Sequence, residues 1–341
     1  MSDTDTTIAN PGDPAGSSGD GATASVTRAD TVFFWATRVV SSLGVLVTAW
    51  ADVSTGSMLV HGHPAYLILL VLTFLVSVLV AVRSWLARTV RHRRSAVIRG
   101  VLPLLSLGVI ALVWWLVPSS AVEPALSAMN SDAGVTVTET ADQIVLQPTG
   151  TVSEVGVFFQ PGARVDARAY AAVLRPLAEA GHVVVIPKQP LGIAFLSTGA
   201  FGSARAGHPP VTRWVVGGHS LGGTVAAMDA QSFTGASTEP VAGLLFFASY
   251  PANDLSGLVA NVLSISGSND GLATPDKIDA SKASLPADAR YLVIKGGVHA
   301  FFGDYGPQAG DGEPATSQDA ARAMISDASV TFVNSLDAGT R

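Results

Sequence analysis

A serine between two glycines is the first residue of this sequence that has the chemistry of a nucleophile. Ser220 lies in residues 218–222 (GHSLG), after the apolar run 214–216 (WVV) and before a helix-like segment that starts near Thr224. A sharp turn from strand to helix needs glycines on both sides of the serine, because Cβ atoms there would collide. The pattern predicts that Ser220 attacks an acyl carbon and that the N-terminus of the following helix faces the developing oxyanion.

A serine hydroxyl needs a base to take its proton, and an imidazole that titrates near neutrality suits this role. His299 follows the apolar run 291–294 (YLVI) and precedes a glycine-rich loop, so we expect it to be the base. Asp270 follows the run 262–265 (VLSI) in a glycine-flanked turn, and we expect it to accept a hydrogen bond from the imidazole. The order serine, acid, histidine predicts that the three meet at the carboxyl edge of one parallel sheet.

Other residues compete for two of these roles. Asp270 is alternatively an Asx-turn or helix-capping residue. Asp254 and Asp276 are weaker candidates for the acid, because they lie in a loop and in a helix start. His219 adjoins Ser220, but neighbours in a sharp turn point apart, so we interpret His219 as a packing or hydrogen-bonding residue.

The oxyanion hole is expected to consist of two backbone N–H groups. Leu221 follows the nucleophile, and Ala163 follows a Pro-Gly pair in the loop after the run 154–160 (EVGVFFQ). That loop is alternatively a simple Pro-Gly turn. Apolar side chains near the site suit an acyl or small alcohol group, or alternatively belong to the core. The candidates for this substrate-binding wall are Phe195, Leu196 and Phe301.

The elements that position these groups start near residue 135. From there short β-branched runs alternate with helical stretches, which predicts an α/β domain with a mostly parallel, doubly wound sheet over residues 135–341. Only residues 250–260 separate two of the strand runs, so the sequence leaves no room there for a helical lid. We therefore expect an open, shallow site.

The N-terminal part has a different composition. The whole chain has 48% apolar and only 13% charged residues, a balance that is typical when part of a chain lies in lipid. Residues 1–30 are predicted to be a disordered tail and residues 119–134 a linker. Between them we predict an all-α transmembrane region of about three helices. The predicted spans are about 31–51, 65–86 and 97–118. Arg38 interrupts the first span, which is alternatively an amphipathic helix on the membrane surface.

Charge around these spans predicts their orientation. The loop between the second and third spans carries arginines and no acidic residue, which places it in the cytoplasm by the positive-inside rule. The same arginines alternatively bind anionic lipid headgroups. We therefore expect a multi-pass protein of the cell membrane whose catalytic domain is extracytoplasmic.

Composition also excludes several classes of function. A net charge of −6 does not favour nucleic acid as a partner, and the absence of cysteine removes disulfides and thiolate metal sites. The seven histidines show no metal-ligand spacing, so neither a metal nor another cofactor is expected. The expected partners are a small ester-like substrate and the lipid bilayer, and the oligomeric state is open.

Residues from about 135 to 336 resemble the α/β-hydrolase superfamily through GHSLGG, SGSNDG and GGVHAFFG in that order, with PGARV upstream. They look like its small lid-free bacterial branch near the dienelactone-hydrolase-like proteins. Two departures from the family's pattern bear on the substrate: Pro161-Gly162 replaces the family's common His-Gly, and dienelactone hydrolase itself has a cysteine where this chain has Ser220.

The expected activity is therefore carboxylesterase-like, through an acyl-enzyme on Ser220. The first expected substrate is an ester or thioester of a small or medium acid, and hydrolysis of an amide or a carbon-carbon bond stays open. The alternative function is a catalytically silent binding module at the cell surface. A transporter is weaker, because the spans are few and carry no paired intramembrane charges.

Overall fold

The computed structural model describes residues 27–87, 96–236 and 239–338. Residues 1–26 of the predicted tail lie outside this part of the chain. Four arginines of the predicted cytoplasmic loop also lie outside it: Arg88, Arg91, Arg93 and Arg94.

Four helices lie in the described part of the N-terminal region, and they are α1 (Arg28–Thr55), α2 (Met58–His61), α3 (Pro64–Leu86) and α4 (Ala96–Trp115). Within the described residues, α1, α3 and α4 are each long and apolar enough to cross a membrane. Helix α1 packs against both α3 and α4, which touch each other little. The three long apolar helices predicted from the sequence are therefore present.

Helix α1 starts earlier than predicted, at Arg28, so residues 28–30 belong to a helix and not to the tail. The cause is a capping box, in which Thr27 accepts a hydrogen bond from the Asp30 N–H and Asp30 accepts one from the Thr27 N–H. Arg38 fits within α1 because its guanidinium donates to the Ser84 and Ala87 carbonyls at the C-terminal end of α3.

The C-terminal domain is built on one eight-stranded sheet in the order β1-β2-β4-β3-β5-β6-β7-β8. Its strands are β1 (Val135–Glu139), β2 (Gln143–Pro148), β3 (Val155–Gln160), β4 (Val184–Pro187), β5 (Arg213–His219), β6 (Val241–Phe247), β7 (Asn261–Gly267) and β8 (Arg290–Ile294). Strand β2 runs antiparallel to both of its neighbours, and all other pairs are parallel. The prediction of a mostly parallel sheet is confirmed.

Helices cover both faces of this sheet, as continuous apolar strands require. They are α5 (Ala125–Ala128), α6 (Ala171–Glu179), α7 (Ala200–Gly207), α8 (Leu221–Phe233), α9 (Pro275–Ser281) and α10 (Gln318–Ala338). One core contains Phe159, Phe247 and Phe332, and the core on the other face contains Phe201 and Trp214. Short helix α5 lies inside the segment that the sequence predicts to be a linker.

Hydrogen bonds join the helical N-terminal region to the sheet domain. The Arg168 guanidinium, in the segment after β3, donates to the Ser57 hydroxyl at 3.1 Å. The Ser120 hydroxyl donates to the Thr55 carbonyl, at the end of α1, at 2.9 Å. The sheet domain is therefore held against the helix ends near residues 55–57.

Candidate active site

Ser220 occupies the strained turn that its sequence context predicts. It lies between β5 and α8 with φ 52° and ψ −125°, a conformation that L-residues adopt rarely and that occurs mostly at functional sites. A Cβ at Gly218 would overlap Gly222, and one at Gly222 would overlap the Gln160 and Pro161 carbonyl oxygens. The two glycines thus let the turn close directly against the loop that follows β3.

Asp270 and His299 are hydrogen-bonded to each other in the interior. The His299 Nδ1 lies 2.9 Å from the Asp270 Oδ2, and their side chains are 1% and 0% exposed. The other carboxylate oxygen of Asp270 accepts the N–H groups of Leu272 and Ala273, both at 2.8 Å. These bonds fix the carboxylate, so that Nδ1 of His299 carries a proton and Nε2 is left as the acceptor.

Asp311 is a positioning residue that the sequence does not reveal. Its Oδ1 accepts the Gly271 N–H at 3.1 Å and the His299 N–H at 3.0 Å, and its Oδ2 accepts the Ala300 N–H at 2.8 Å. One carboxylate therefore ties the loop of the predicted acid to the loop of the predicted base. An aspartate before a glycine in a loop reads as an ordinary turn residue, because backbone donors leave no sequence signal.

The predicted nucleophile, Ser220, and the predicted base, His299, are not hydrogen-bonded to each other in this structure. Among the described residues, His299 Nε2 is buried and has no hydrogen-bond partner, the Ser220 hydroxyl included. The His299 ring instead packs on that of His219, the residue before Ser220, with 4.5 Å between ring centroids. Catalytic hydrogen bonds in unliganded enzymes are often long and shorten when substrate binds.

His219 has a structural role beneath the turn. The Gly162 N–H donates to the Tyr170 hydroxyl at 2.9 Å, and that hydroxyl in turn donates to His219 Nδ1 at 2.8 Å. Burial, followed by the neighbouring His299, lowers the pKa of His219 well below its usual value. His219 is therefore neutral near pH 7, with its proton on Nε2, and it adds no charge beside His299.

The two predicted oxyanion donors have free N–H groups. Within the described part of the chain, neither the Ala163 nor the Leu221 N–H donates to a protein acceptor. On either side of Ala163, the Gly162 N–H is taken by a tyrosine hydroxyl and the Arg164 N–H by the Gly192 carbonyl at 2.7 Å. The backbone N–H of Ala163 is therefore the donor of this loop that could bind a ligand.

Two further polar side chains support the turn and its facing loop. The Ser249 hydroxyl, just after β6, donates to the Ser220 carbonyl at 2.6 Å. The Gln189 side-chain amide, just after β4, donates to the Pro161 carbonyl and to the Gln160 side-chain oxygen, both at 3.0 Å. Their only sequence signal is a position just past the carboxyl end of a strand.

The predicted substrate-wall residues differ in exposure. Phe195 and Leu196 are 46% and 55% exposed, whereas Phe301 is partly buried and packs on the core. Residues 250–260, where a lid would be inserted, contain no helix among the described residues. The described residues of this segment therefore form no helical lid, and Phe195 and Leu196 expose apolar side chains after β4.

Comparison with known proteins gives a family for this domain. Residues 156–323 match the model of the alpha/beta hydrolase family. No curated protein matches the chain. Among solved structures, an alpha-beta serine hydrolase homologue from Coxiella burnetii is 12% identical with a TM-score of 0.41, and the match covers 60% of this chain and 98% of that one.

Two other solved structures are similar at the same level. A Xanthomonas campestris member of the α/β serine hydrolases without lid is 15% identical with a TM-score of 0.41, over 59% of this chain and 96% of its own. An esterase domain of a Rhodothermus marinus protein is 12% identical with a TM-score of 0.43, over 56% and 90%. Similarity at this level carries no information on substrate.

Proposed function

The domain that contains residues 156–323 belongs to the alpha/beta hydrolase family, and from this premise we propose that the chain is a membrane-anchored serine hydrolase of the carboxylesterase type. The observation that carries the proposal is the buried hydrogen bond of 2.9 Å between Asp270 and His299. It lies at the same edge of the sheet as the strained turn of Ser220. An acid-histidine pair beside a serine in this conformation supports nucleophilic catalysis.

In the proposed mechanism, the Ser220 oxygen attacks the carbonyl carbon of an ester while His299 Nε2 takes the hydroxyl proton. Asp270 stabilises the resulting imidazolium. The carbonyl oxygen becomes an oxyanion, and the N–H groups of Ala163 and Leu221 stabilise it. The start of α8 adds the favourable end of its helix dipole to the same position.

The tetrahedral intermediate then breaks its bond to the alcohol oxygen, and the imidazolium gives its proton to that oxygen. This leaves an acyl-enzyme on Ser220. A water molecule, deprotonated by His299, attacks the acyl carbon, and the acid leaves as Ser220 regains its proton. No metal or cofactor takes part in this sequence of steps.

One observation favours the second candidate, a binding module that has the fold without the activity. His299 Nε2 has no hydrogen-bond partner among the described residues, so the proton path from Ser220 is not closed in this state. Such a module would bind a ligand near the exposed side chains of Phe195 and Leu196 without cleaving it.

A fluorophosphonate probe separates the two candidates, because it labels only a serine that is activated as a nucleophile. We expect the purified full-length chain to be labelled and Ser220→Ala to lose the label completely. Ser256→Ala is the matched control, since Ser256 is exposed on the surface and is expected to leave labelling unchanged. A folded wild-type chain that is never labelled would support the binding module.

We also propose that α1, α3 and α4 cross the cell membrane and that the hydrolase domain lies outside the cytoplasm. The three helices have the necessary length and hydropathy. The arginine-rich loop between α3 and α4 supports a cytoplasmic location for that loop. The hydrolase domain is joined to the opposite helix ends, near Thr55 and Trp115.

This orientation is testable by cysteine labelling, because the natural chain contains no cysteine that would react. We expect a membrane-impermeant maleimide to label Ser256→Cys in intact cells. Ser95→Cys, in the arginine-rich loop, is expected to react only after the cells are lysed. The reverse pattern would overturn the proposed orientation, and labelling of both sites in intact cells would overturn the membrane crossing.

A further inference from the structure

The predicted oxyanion loop touches the end of a transmembrane helix directly. The guanidinium of Arg164 donates to the Trp115 carbonyl at the end of α4, and it lies 4.9 Å above the Trp115 ring. Arg164 is the residue after Ala163, and its carbonyl accepts the Ser119 N–H at 2.7 Å. The oxyanion donor is therefore one residue away from a contact with the last residue of the helix.

The loop after β4 makes a second contact of this kind. Leu191 and Gly192 line a small cavity together with Tyr66 and Leu67 at the start of α3 and Leu116 after α4. The Gly192 carbonyl also accepts the Arg164 N–H, so this loop and the oxyanion loop are joined to each other as well. Both of these loops follow the carboxyl ends of parallel strands.

An ion-pair cluster adds a third contact at the same edge of the sheet. Glu139, at the end of β1, lies 2.8 Å from Lys188 Nζ and 3.1 Å from the imidazole of His61 in α2. Lys188 directly follows β4. Three separate loops thus hold the carboxyl edge of the sheet, where Ser220 lies, against the helix ends.

Exposed apolar side chains lie both at the end of α4 and in the loop after β4, which contacts α3 and the helix that begins after Ser220. Trp114 and Trp115 are 59% and 50% exposed at the end of α4, as in aromatic belts at the membrane interface. Residues 190–192 pack on α3, and the turn Ala194–Ser197 that follows packs on α8, the helix that begins just after Ser220. That turn presents Phe195 and Leu196 to the exterior.

We propose that the substrate is an ester lodged in the lipid leaflet, whose acyl chain stays in the bilayer while its carbonyl reaches Ser220 from the membrane surface. The proposal rests on the proposed hydrolase activity and on the proposed membrane insertion. An acyl chain that remains among lipids avoids the free-energy cost of exposing its methylene groups to water. Phe195 and Leu196 are immersed at the interface and shield the path of the acyl chain.

The experiment compares two fluorogenic esters on the full-length chain reconstituted in phosphatidylcholine vesicles. Methylumbelliferyl butyrate is presented in water, and methylumbelliferyl palmitate is presented within the bilayer. We expect the wild type to hydrolyse both esters. For the double variant Phe195→Ser with Leu196→Ser, we expect the ratio of the palmitate rate to the butyrate rate to fall about tenfold.

Val259→Ser is the matched control. Val259 is 87% exposed, but it precedes β7 and so lies at the amino edge of the sheet, away from the helix ends. We expect this variant to leave the ratio of rates unchanged. An unchanged ratio in the double variant, or a wild type that hydrolyses butyrate and not palmitate, would overturn the inference and leave the hydrolase proposal intact. A wild type inactive on both esters would overturn the hydrolase proposal itself.

Discussion

Replacing His299 by alanine is expected to lower kcat for ester hydrolysis by about 10⁴- to 10⁶-fold, because the Ser220 hydroxyl then has no base to take its proton. The imidazole is buried, and Asp270 holds its Nδ1 at 2.9 Å. The measurement is the single-turnover rate of acylation by p-nitrophenyl butyrate, with circular dichroism to show that the variant is folded.

His219→Gln is the informative comparison, since His219 adjoins the nucleophile in sequence. Its Nδ1 is occupied by the Tyr170 hydroxyl, and its lowered pKa keeps the ring neutral. We therefore expect a loss of about tenfold or less, caused by a small shift of the loop that carries Gly162. His208→Ala, at a site remote from the catalytic residues, is expected to have no effect. A large loss of kcat in His219→Gln together with a small loss in His299→Ala would show that the base is His219 and not His299.

Replacing Asp270 by asparagine is expected to lower kcat by about 10⁴-fold without unfolding the domain. The asparagine oxygen can still accept the Leu272 and Ala273 N–H groups, which preserves the turn. Its amide nitrogen would face Nδ1 of His299 and donate to it, so the imidazole proton would move to Nε2. Nε2 could then no longer accept the proton of Ser220. The measurement is kcat together with the midpoint of thermal unfolding.

Two other aspartates provide controls for this prediction. Asp254 is exposed and accepts the Ser256 N–H, and Asp276 lies in the first turn of α9. We expect Asp254→Asn and Asp276→Asn to retain kcat within about twofold. Were either of them to lose as much activity as Asp270→Asn, or were Asp270→Asn to keep more than a tenth of the wild-type rate, the assignment of the acid would be wrong.

Much of the fold was predictable because each signal was local. Continuous apolar runs such as those of β3 and β5 indicated buried parallel strands, and the observed sheet is parallel except at β2. The glycines around Ser220 indicated the turn, since only a residue without Cβ fits there. The start of α1 at Arg28 differs from the prediction, although Thr27 and Asp30 have the spacing of a capping box.

The remaining features were not predictable because they depend on contacts between residues far apart in the chain. Asp311 binds backbone N–H groups, and every residue except proline has one, so no residue type marks its partners. The contact between Arg164 and Trp115 depends on how the sheet domain packs against the N-terminal helices, which no local pattern in the sequence indicates. Tyr170 acts through a hydroxyl that bridges Gly162 and His219, which only the packed structure brings together.

Because the Asp311 carboxylate accepts both the Gly271 and the His299 N–H groups, it joins the loop of the proposed acid to the loop of the proposed base. The turn of Ser220 is fastened separately, by the Ser249 hydroxyl that donates to the Ser220 carbonyl. Among the described residues His299 Nε2 has no hydrogen-bond partner, so we expect a bound acyl group to complete the proton path by bringing this nitrogen within hydrogen-bond distance of the Ser220 hydroxyl.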